Sequence, residues 1–117
     1  MSADAQLVER VRQALGGEAN LAGRRMFGGV CFTIGGHMAC GVQGCDLVVR
    51  VGPHAHAAAL AEHHVRPMDF TGRPLKGFVY VSPLGCAESR QLGKWIRRGV
   101  RFARTLPTKS GRTRRSS

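Results

Sequence analysis

The stretch from residue 24 to residue 51 constrains the fold most, because apolar residues recur along it with a period of two. The alternating apolar positions are Val30, Phe32, Ile34, Met38, Cys40, Val42, Leu47, Val49 and Val51. Gly35-Gly36 and Gln43-Gly44 separate the three runs and favour hairpin turns. The pattern predicts three antiparallel strands in a meander with one face covered. Met26–Gly29 is predicted to form a kink before the first full strand, since paired glycines in a strand suggest a bulge.

The segments on either side of this meander predict three helices and two further strands. Ser2 or Asp4 is a suitable cap for the first helix, and Pro67 interrupts the fourth strand. The predicted elements outside the meander are helices over residues 4–15, 54–64 and 86–105, and strands over residues 65–70 and 77–81. The order α-β-β-β-α-β-β-α predicts an α+β two-layer sandwich, with an antiparallel five-stranded sheet and helices gathered on one face.

Positive charge is concentrated at the end of the chain, whose net charge is +11. Residues 1–88 hold eight lysines and arginines and seven acids, whereas residues 89–117 hold ten lysines and arginines and no acid. Residues 1–106 are predicted to form one folded domain. Residues 108–117 contain no apolar residue. Residues 107–117 are therefore predicted to be a disordered basic tail. The helical period places six cations of the last helix opposite its Trp95 face.

These cations are the candidate nucleic-acid-binding residues. They are Arg90, Lys94, Arg97, Arg98, Arg101 and Arg104 in the helix, and Lys109, Arg112, Arg114 and Arg115 in the tail. Arginine suits bidentate contacts to phosphate, and such binding weakens steeply with salt. The tail has no aromatic residue for stacking, and no helix-turn-helix or zinc finger is recognisable, so the predicted contact is weakly specific. A solvated cationic face, an acidic protein partner and a membrane surface are the alternatives left open.

The residues that usually carry chemistry form no recognisable site. Cys31, Cys40, Cys45 and Cys86 lack the paired spacing of a zinc site and are predicted to be free thiols. His54, His56, His63 and His64 bracket one short helix without an i, i+4 pair, so we predict solvated histidines rather than metal ligands. Asp46, Glu62, Asp69 and Glu88 are more simply turn or surface carboxylates. The sequence therefore predicts no catalytic residue, no cofactor and no metal.

The bulk sequence also bears on location. No apolar run approaches 18 residues, which excludes a membrane-spanning helix of ordinary length. The N-terminus has no apolar core of a secretory signal, so a cytoplasmic protein is expected.

Four segments resemble the TfoX N-terminal domain family: RRMFGGVCF, DLVVRVGP, RPMDFTGRPLKGFVYVSP and LGKWIRRGVRFARTLP. The resemblance covers about residues 5–107. It implies a two-layer fold similar to that of secretion chaperones. It also implies kinship with the bacterial TfoX/Sxy regulators of natural competence, which act in transcriptional control of DNA uptake without an enzymatic motif. The full regulators carry a second, helical domain where this sequence has a basic tail, so a stand-alone N-terminal domain is expected.

Two function classes follow. The first is a small non-enzymatic regulator in transcription or competence, with nucleic acid or the transcription machinery as its partner. The second is a chaperone-like or dimerising protein-interaction module that uses the open sheet face, and exposed Val48 and Val79 on that face would favour it.

A truncation tests the division between domain and tail. Deleting residues 107–117 should leave cooperative thermal unfolding intact and weaken polyanion binding, because this segment carries four cations and no core residue. Circular dichroism melting and a polyanion titration measure the two effects. Loss of cooperative unfolding would contradict the prediction and make the tail structural.

Overall fold

The computed structural model describes residues 3–26, 28–70 and 73–107, which form an α+β two-layer structure. The helices are α1 (Ala5–Leu15), α2 (His56–Leu60) and α3 (Ser89–Arg104), with a 3-10 turn at Pro83–Gly85. The strands are β1 (Leu21–Met26), β2 (Gly29–Ile34), β3 (His37–Gln43), β4 (Asp46–Arg50), β5 (Val65–Phe70) and β6 (Arg73–Val81). They form one antiparallel sheet in the order β1-β2-β3-β4-β6-β5. The predicted fold class is confirmed.

The sheet has six strands rather than the predicted five, because β1 precedes the meander. β1 pairs with β2 along its whole length, from Leu21 opposite Ile34 to Met26 opposite Gly29. All of its residues except Leu21 are exposed. An edge strand that is solvated on both faces shows no apolar alternation, so this part of the chain looked like a connection and a kink.

A bulge in β3 changes which residues share a face. The alternation predicts that Met38 and Cys40 face the same side. In the structure Phe32 pairs with Cys40 and Thr33 pairs with Met38, so Ala39 is an extra residue on β3. Ala39 and Cys40 are both buried in the core beneath the helices, whereas Met38 lies on the opposite face of the sheet.

Several element boundaries also differ from prediction. The second helix is shorter than the predicted span, and the chain then turns through His64, whose φ is 69°. α3 begins at Ser89 rather than near Cys86, because Glu88 and Gln91 form a capping box at its start. β6 begins at Arg73, inside the predicted turn, since it continues to pair with β5 there.

The core lies between the helices and one face of the sheet. Asp4 caps α1 by accepting hydrogen bonds from two backbone amides of its first turn, at 2.9 and 3.2 Å. Leu7, Val11 and Leu15 bury the predicted stripe of α1, although Ala14, expected within it, is exposed. α3 contributes the largest helical share of the core: Leu92, Trp95, Ile96, Val100 and Ala103.

The end of the described chain is held against the sheet. The predicted tail lies outside the described residues except for Pro107, whose carbonyl oxygen is 2.5 Å from Nε2 of His37. This contact joins the residues after α3 to the first residue of β3. Within the described ranges, no helix is both long and apolar enough to cross a membrane.

Gly99 sets the distance between α3 and the sheet, which a matched pair of substitutions can test. A Cβ at Gly99 would collide with the carbonyl oxygen of Ala39, whereas one at Gly93 would meet only the flexible end of Arg97, at 3.1 Å. Gly99→Ala should therefore lower the free energy of unfolding by about 1–3 kcal/mol through overpacking. Gly93→Ala should raise it by up to about 1 kcal/mol through helix propensity.

Urea unfolding of both variants measures these changes. A Gly99→Ala protein as stable as its Gly93→Ala counterpart would show that α3 does not approach β3 this closely.

Candidate nucleic-acid interface

The last helix carries a strip of cations on the side that faces away from the core. Its buried side is formed by residues three and four apart, and the helical period therefore turns the intervening residues outward. We call the outward cations the basic strip, which consists of Arg90, Lys94, Arg97, Arg98, Arg101 and Arg104. The structure thus places the six helical candidate residues on one face.

One margin of the basic strip is tied down by a carboxylate from the segment after α2. Nη1 of Arg98 donates a 2.8 Å hydrogen bond to Glu62, and its guanidinium lies 4.2 Å from the ring centroid of Trp95. The Arg98 side chain is only 23% exposed. Lys94 reaches the same carboxylate at 3.8 Å but stays 61% exposed. Arg98 is therefore mainly structural, and Lys94 is loosely held.

The other margin is tied to the connection between α1 and β1. Nη2 of Arg104 lies 2.7 Å from Oε1 of Glu18 and 3.3 Å from the carbonyl oxygen of Ala19. Its position in the last turn of α3 also suits a cation, because the carbonyl end of a helix carries partial negative charge. Arg104 thus has an architectural role that does not depend on any partner.

The centre of the basic strip differs from its margins. Arg90, Arg97 and Arg101 are exposed, and no ion pair within the described ranges involves them. Arg90 and Arg101 are eleven positions apart in the chain, which corresponds to about 16 Å along the helix axis. This row of three free guanidinium groups can donate to a chain of phosphates without breaking any described contact.

The remaining candidates, Lys109, Arg112, Arg114 and Arg115, lie outside the described residues. Their contribution stays a prediction from the sequence.

Two other arginines are engaged in the domain itself. The guanidinium of Arg50 lies between the rings of Phe78 and Phe102, 5.2 and 5.3 Å from their centroids. Arg66 donates two hydrogen bonds to the carboxylate of Asp46, from Nη2 at 2.5 Å and from Nη1 at 3.4 Å. Its guanidinium lies 4.9 Å from the ring centroid of Tyr80. The Asp46 hydrogen bond raises the pKa of Arg66. Arg50 and Arg66 therefore differ from Arg90, Arg97 and Arg101, which have no such partners among the described residues.

The sheet face away from the helices carries a pocket of about 210 Å³ that the sequence did not reveal. We call it the apolar pocket; its side chains include Met26, Cys31, Met38, Val48, Met68 and Phe78. Exposed Val48 and Val79 would have favoured a protein-interaction role for this face, but both are buried. Val48 does line this face but is only 3% exposed, and Val79 is buried in the core on the helix side. In the sequence this pocket is marked only by Met26, Met38 and Met68 and by glycines within the strands. These residues follow no helical or strand period, so the pattern does not predict that they lie together.

A second depression lies between α1 and β1. We call it the arginine cleft, because Arg12, Arg24 and Arg25 line it. Arg12 lies 5.5 Å from the ring centroid of Phe32 and 3.9 Å from Glu9. No ion pair of the described part of the chain involves Arg24 or Arg25. The Arg24-Arg25 dipeptide was the only sequence signal for this cleft.

The structure brings no metal-binding set together in the residues it describes, where no group of three or more His, Cys, Asp or Glu is suitably placed. All four cysteines are free: Cys31, Cys40 and Cys86 are buried, and Cys45 is exposed. Burial raises the pKa of Cys40 to about 12, with a smaller contribution from Cys31. Burial also raises the pKa values of Cys31 and Cys86, against the opposing charges of Arg24 and Arg10 respectively. These buried thiols stay protonated at neutral pH and are poor nucleophiles.

Thiol labelling tests this arrangement. At pH 8 the folded protein should show one rapidly reacting thiol, Cys45, because the other three are buried and have raised pKa values. Ellman's reagent measures the kinetics, and Cys45→Ser should remove the fast phase while unfolding in urea exposes the remaining three. A fast phase that survives Cys45→Ser would show that another thiol is accessible.

The similarity of this chain to known proteins lies at the level of a family. A family model described as TfoX N-terminal domain matches residues 12–103. No curated protein and no solved structure matches the chain.

Proposed function

The chain belongs to the TfoX N-terminal domain family, and from this membership we propose that it is a small bacterial regulatory protein of the cytoplasm. It acts in transcription or competence regulation, without catalysis, and contacts nucleic acid through the basic strip on α3. The observation that carries the proposal is the row of three exposed, unpaired arginines at the centre of that strip. Family membership supports the part of the proposal that excludes catalysis, since this is a non-catalytic domain family.

Electrostatics support a polyanion as the partner. Arg90, Arg97 and Arg101 project from one face of a helix whose opposite face is fixed in the core, so the backbone that carries the row is already ordered before binding. A fixed backbone loses little further backbone entropy when the row meets a phosphate chain. Each contact releases counterions from the nucleic acid, which makes the affinity depend on salt.

The same surface supports low sequence specificity. Base contacts come from side chains such as asparagine, glutamine or arginine that enter a groove. The only amide side chain on α3, that of Gln91, is committed to the capping box with Glu88. The basic strip therefore offers no free amide to read adenine, and the proposed low specificity rests on its contacts to phosphates, which position a protein on nucleic acid but carry no sequence information.

Glu62 moderates the strip. Its carboxylate contacts both Arg98 and Lys94, so it lowers the positive potential at one margin. Removing this charge should strengthen polyanion binding, which gives the proposal a variant that gains affinity as well as variants that lose it.

A protein-interaction role is the second candidate, and the apolar pocket favours it. An exposed depression formed by methionines and other apolar side chains is a common feature of protein-binding surfaces.

The proposal is tested by fluorescence anisotropy with labelled duplex DNA and RNA over a range of salt. The triple variant Arg90→Gln, Arg97→Gln, Arg101→Gln should bind more weakly. Its slope of log K against log salt should be smaller by about 2.7 for duplex DNA, since each phosphate contact contributes about 0.9. Glu62→Gln should bind more tightly than the unaltered chain.

A charge-matched control separates a site from bulk charge. The triple variant Arg12→Gln, Arg24→Gln, Arg25→Gln removes the same three charges from the arginine cleft and should keep nearly the original slope. Equal loss in both triple variants would mean that net charge, and not the basic strip, drives binding. No binding by the unaltered chain at low salt would overturn the proposed function.

A further inference from the structure

The strand β1 lies at an edge of the sheet, where its backbone forms strand hydrogen bonds on one side. It is the first strand in the sheet order, and within the described ranges its only strand partner is β2. Five of its six residues are exposed. Every second backbone N–H and C=O of such a strand points away from its partner and can bond another extended chain.

The two faces of β1 present different chemistry. The backbone of Arg24 pairs with Cys31, and Met26 follows on the same face, so this face borders the apolar pocket; the Arg24 side chain itself lines the arginine cleft. Gly23 pairs with Phe32 and shares the other face with Arg25, which borders the arginine cleft. Successive side chains of a strand alternate between faces. A strand added beside β1 would therefore direct its side chains alternately toward the apolar pocket and the arginine cleft.

We propose that β1 is the docking edge for an extended acidic segment of a partner protein, which adds to the sheet as a seventh strand. Alternate apolar side chains of the segment enter the apolar pocket. The intervening carboxylates face the arginine cleft, where Arg12 and Arg25 lie. This is the geometry of β-strand addition, in which backbone hydrogen bonds give affinity and alternate side-chain pockets give specificity.

Charge identifies the partner as acidic and different from this chain. A second copy pairing through its own β1 would bring two Arg24-Arg25 pairs beside one another, and like charges across strands oppose pairing. The chain's own residues 108–117 hold four cations and no acid, so they do not match the edge either. An extended segment carrying carboxylates does.

The apolar pocket determines how strictly β1 can select the apolar residues of a docking segment. Met26 is 38% exposed at the pocket margin, and Met38 and Met68 line the interior. Methionine side chains are flexible and polarisable, and such surfaces accommodate apolar groups of several shapes. The site should therefore demand alternation and negative charge more strictly than it demands one particular apolar residue.

Fluorescein-labelled octapeptides test the proposal by anisotropy with the full chain. The probe alternates leucine and glutamate, and its control alternates leucine and lysine. The glutamate peptide should bind, and the lysine peptide should not. Arg12→Gln, Arg24→Gln, Arg25→Gln should weaken binding about tenfold, as expected for losing three partly exposed charge contacts. Arg90→Gln, Arg97→Gln, Arg101→Gln should leave peptide binding unchanged, which separates this site from the basic strip.

Two N-methylated versions of the glutamate peptide test strand addition directly. One is methylated at every leucine and the other at every glutamate, so each loses the donors along one edge. Exactly one version should lose binding, because an added strand uses a single edge. Hydrogen exchange of the complex should slow in β1. Equal binding of both versions, protection confined to α3, equal binding of the lysine peptide, or no binding at millimolar peptide would each overturn the proposal.

Discussion

The close approach of α3 to the sheet at Gly99 is the contact on which the rest of the structure depends. Only a residue without a side chain lets the helix backbone lie against the carbonyl of Ala39. At this point a bulge in β3 turns Ala39 and Cys40 toward the helices together. The helix is thereby fixed in rotation, with Trp95 inward and the basic strip outward. Orientation of the charged face is thus a consequence of backbone packing.

Much of the fold could be predicted because a helix or strand with one buried face has apolar residues at regular intervals in the sequence. α1, β2, β4, β5 and the helical character of the last segment follow from such periods, as does the α+β class. β1 could not be predicted this way, since a strand with both faces in water has no apolar alternation to detect. The bulge at Ala39 was also hidden, because one inserted residue reverses the faces without changing composition.

The candidate site divides in the same manner. The helical period alone places the six cations of α3 on one face. It cannot show that Arg98 and Arg104 are held by Glu62 and Glu18, because those carboxylates come from segments 36 and 86 residues away in the chain. The arginine cleft and the apolar pocket are likewise products of strand order and register, which bring together residues that are distant in the sequence.

The position of Arg98 over Trp95 gives the molecule an optical property. The chain has a single tryptophan, and its indole ring is covered by a guanidinium that a carboxylate holds in place. The emission of this one fluorophore therefore depends on whether Glu62 keeps Arg98 on the ring. A ligand that draws Arg98 away from Glu62 would be recorded in the intrinsic spectrum of the protein, without any label. The contact of Arg98 with Glu62 and Trp95, which stabilises one margin of α3, thus also links the fluorescence of Trp95 to the ion pair beside it.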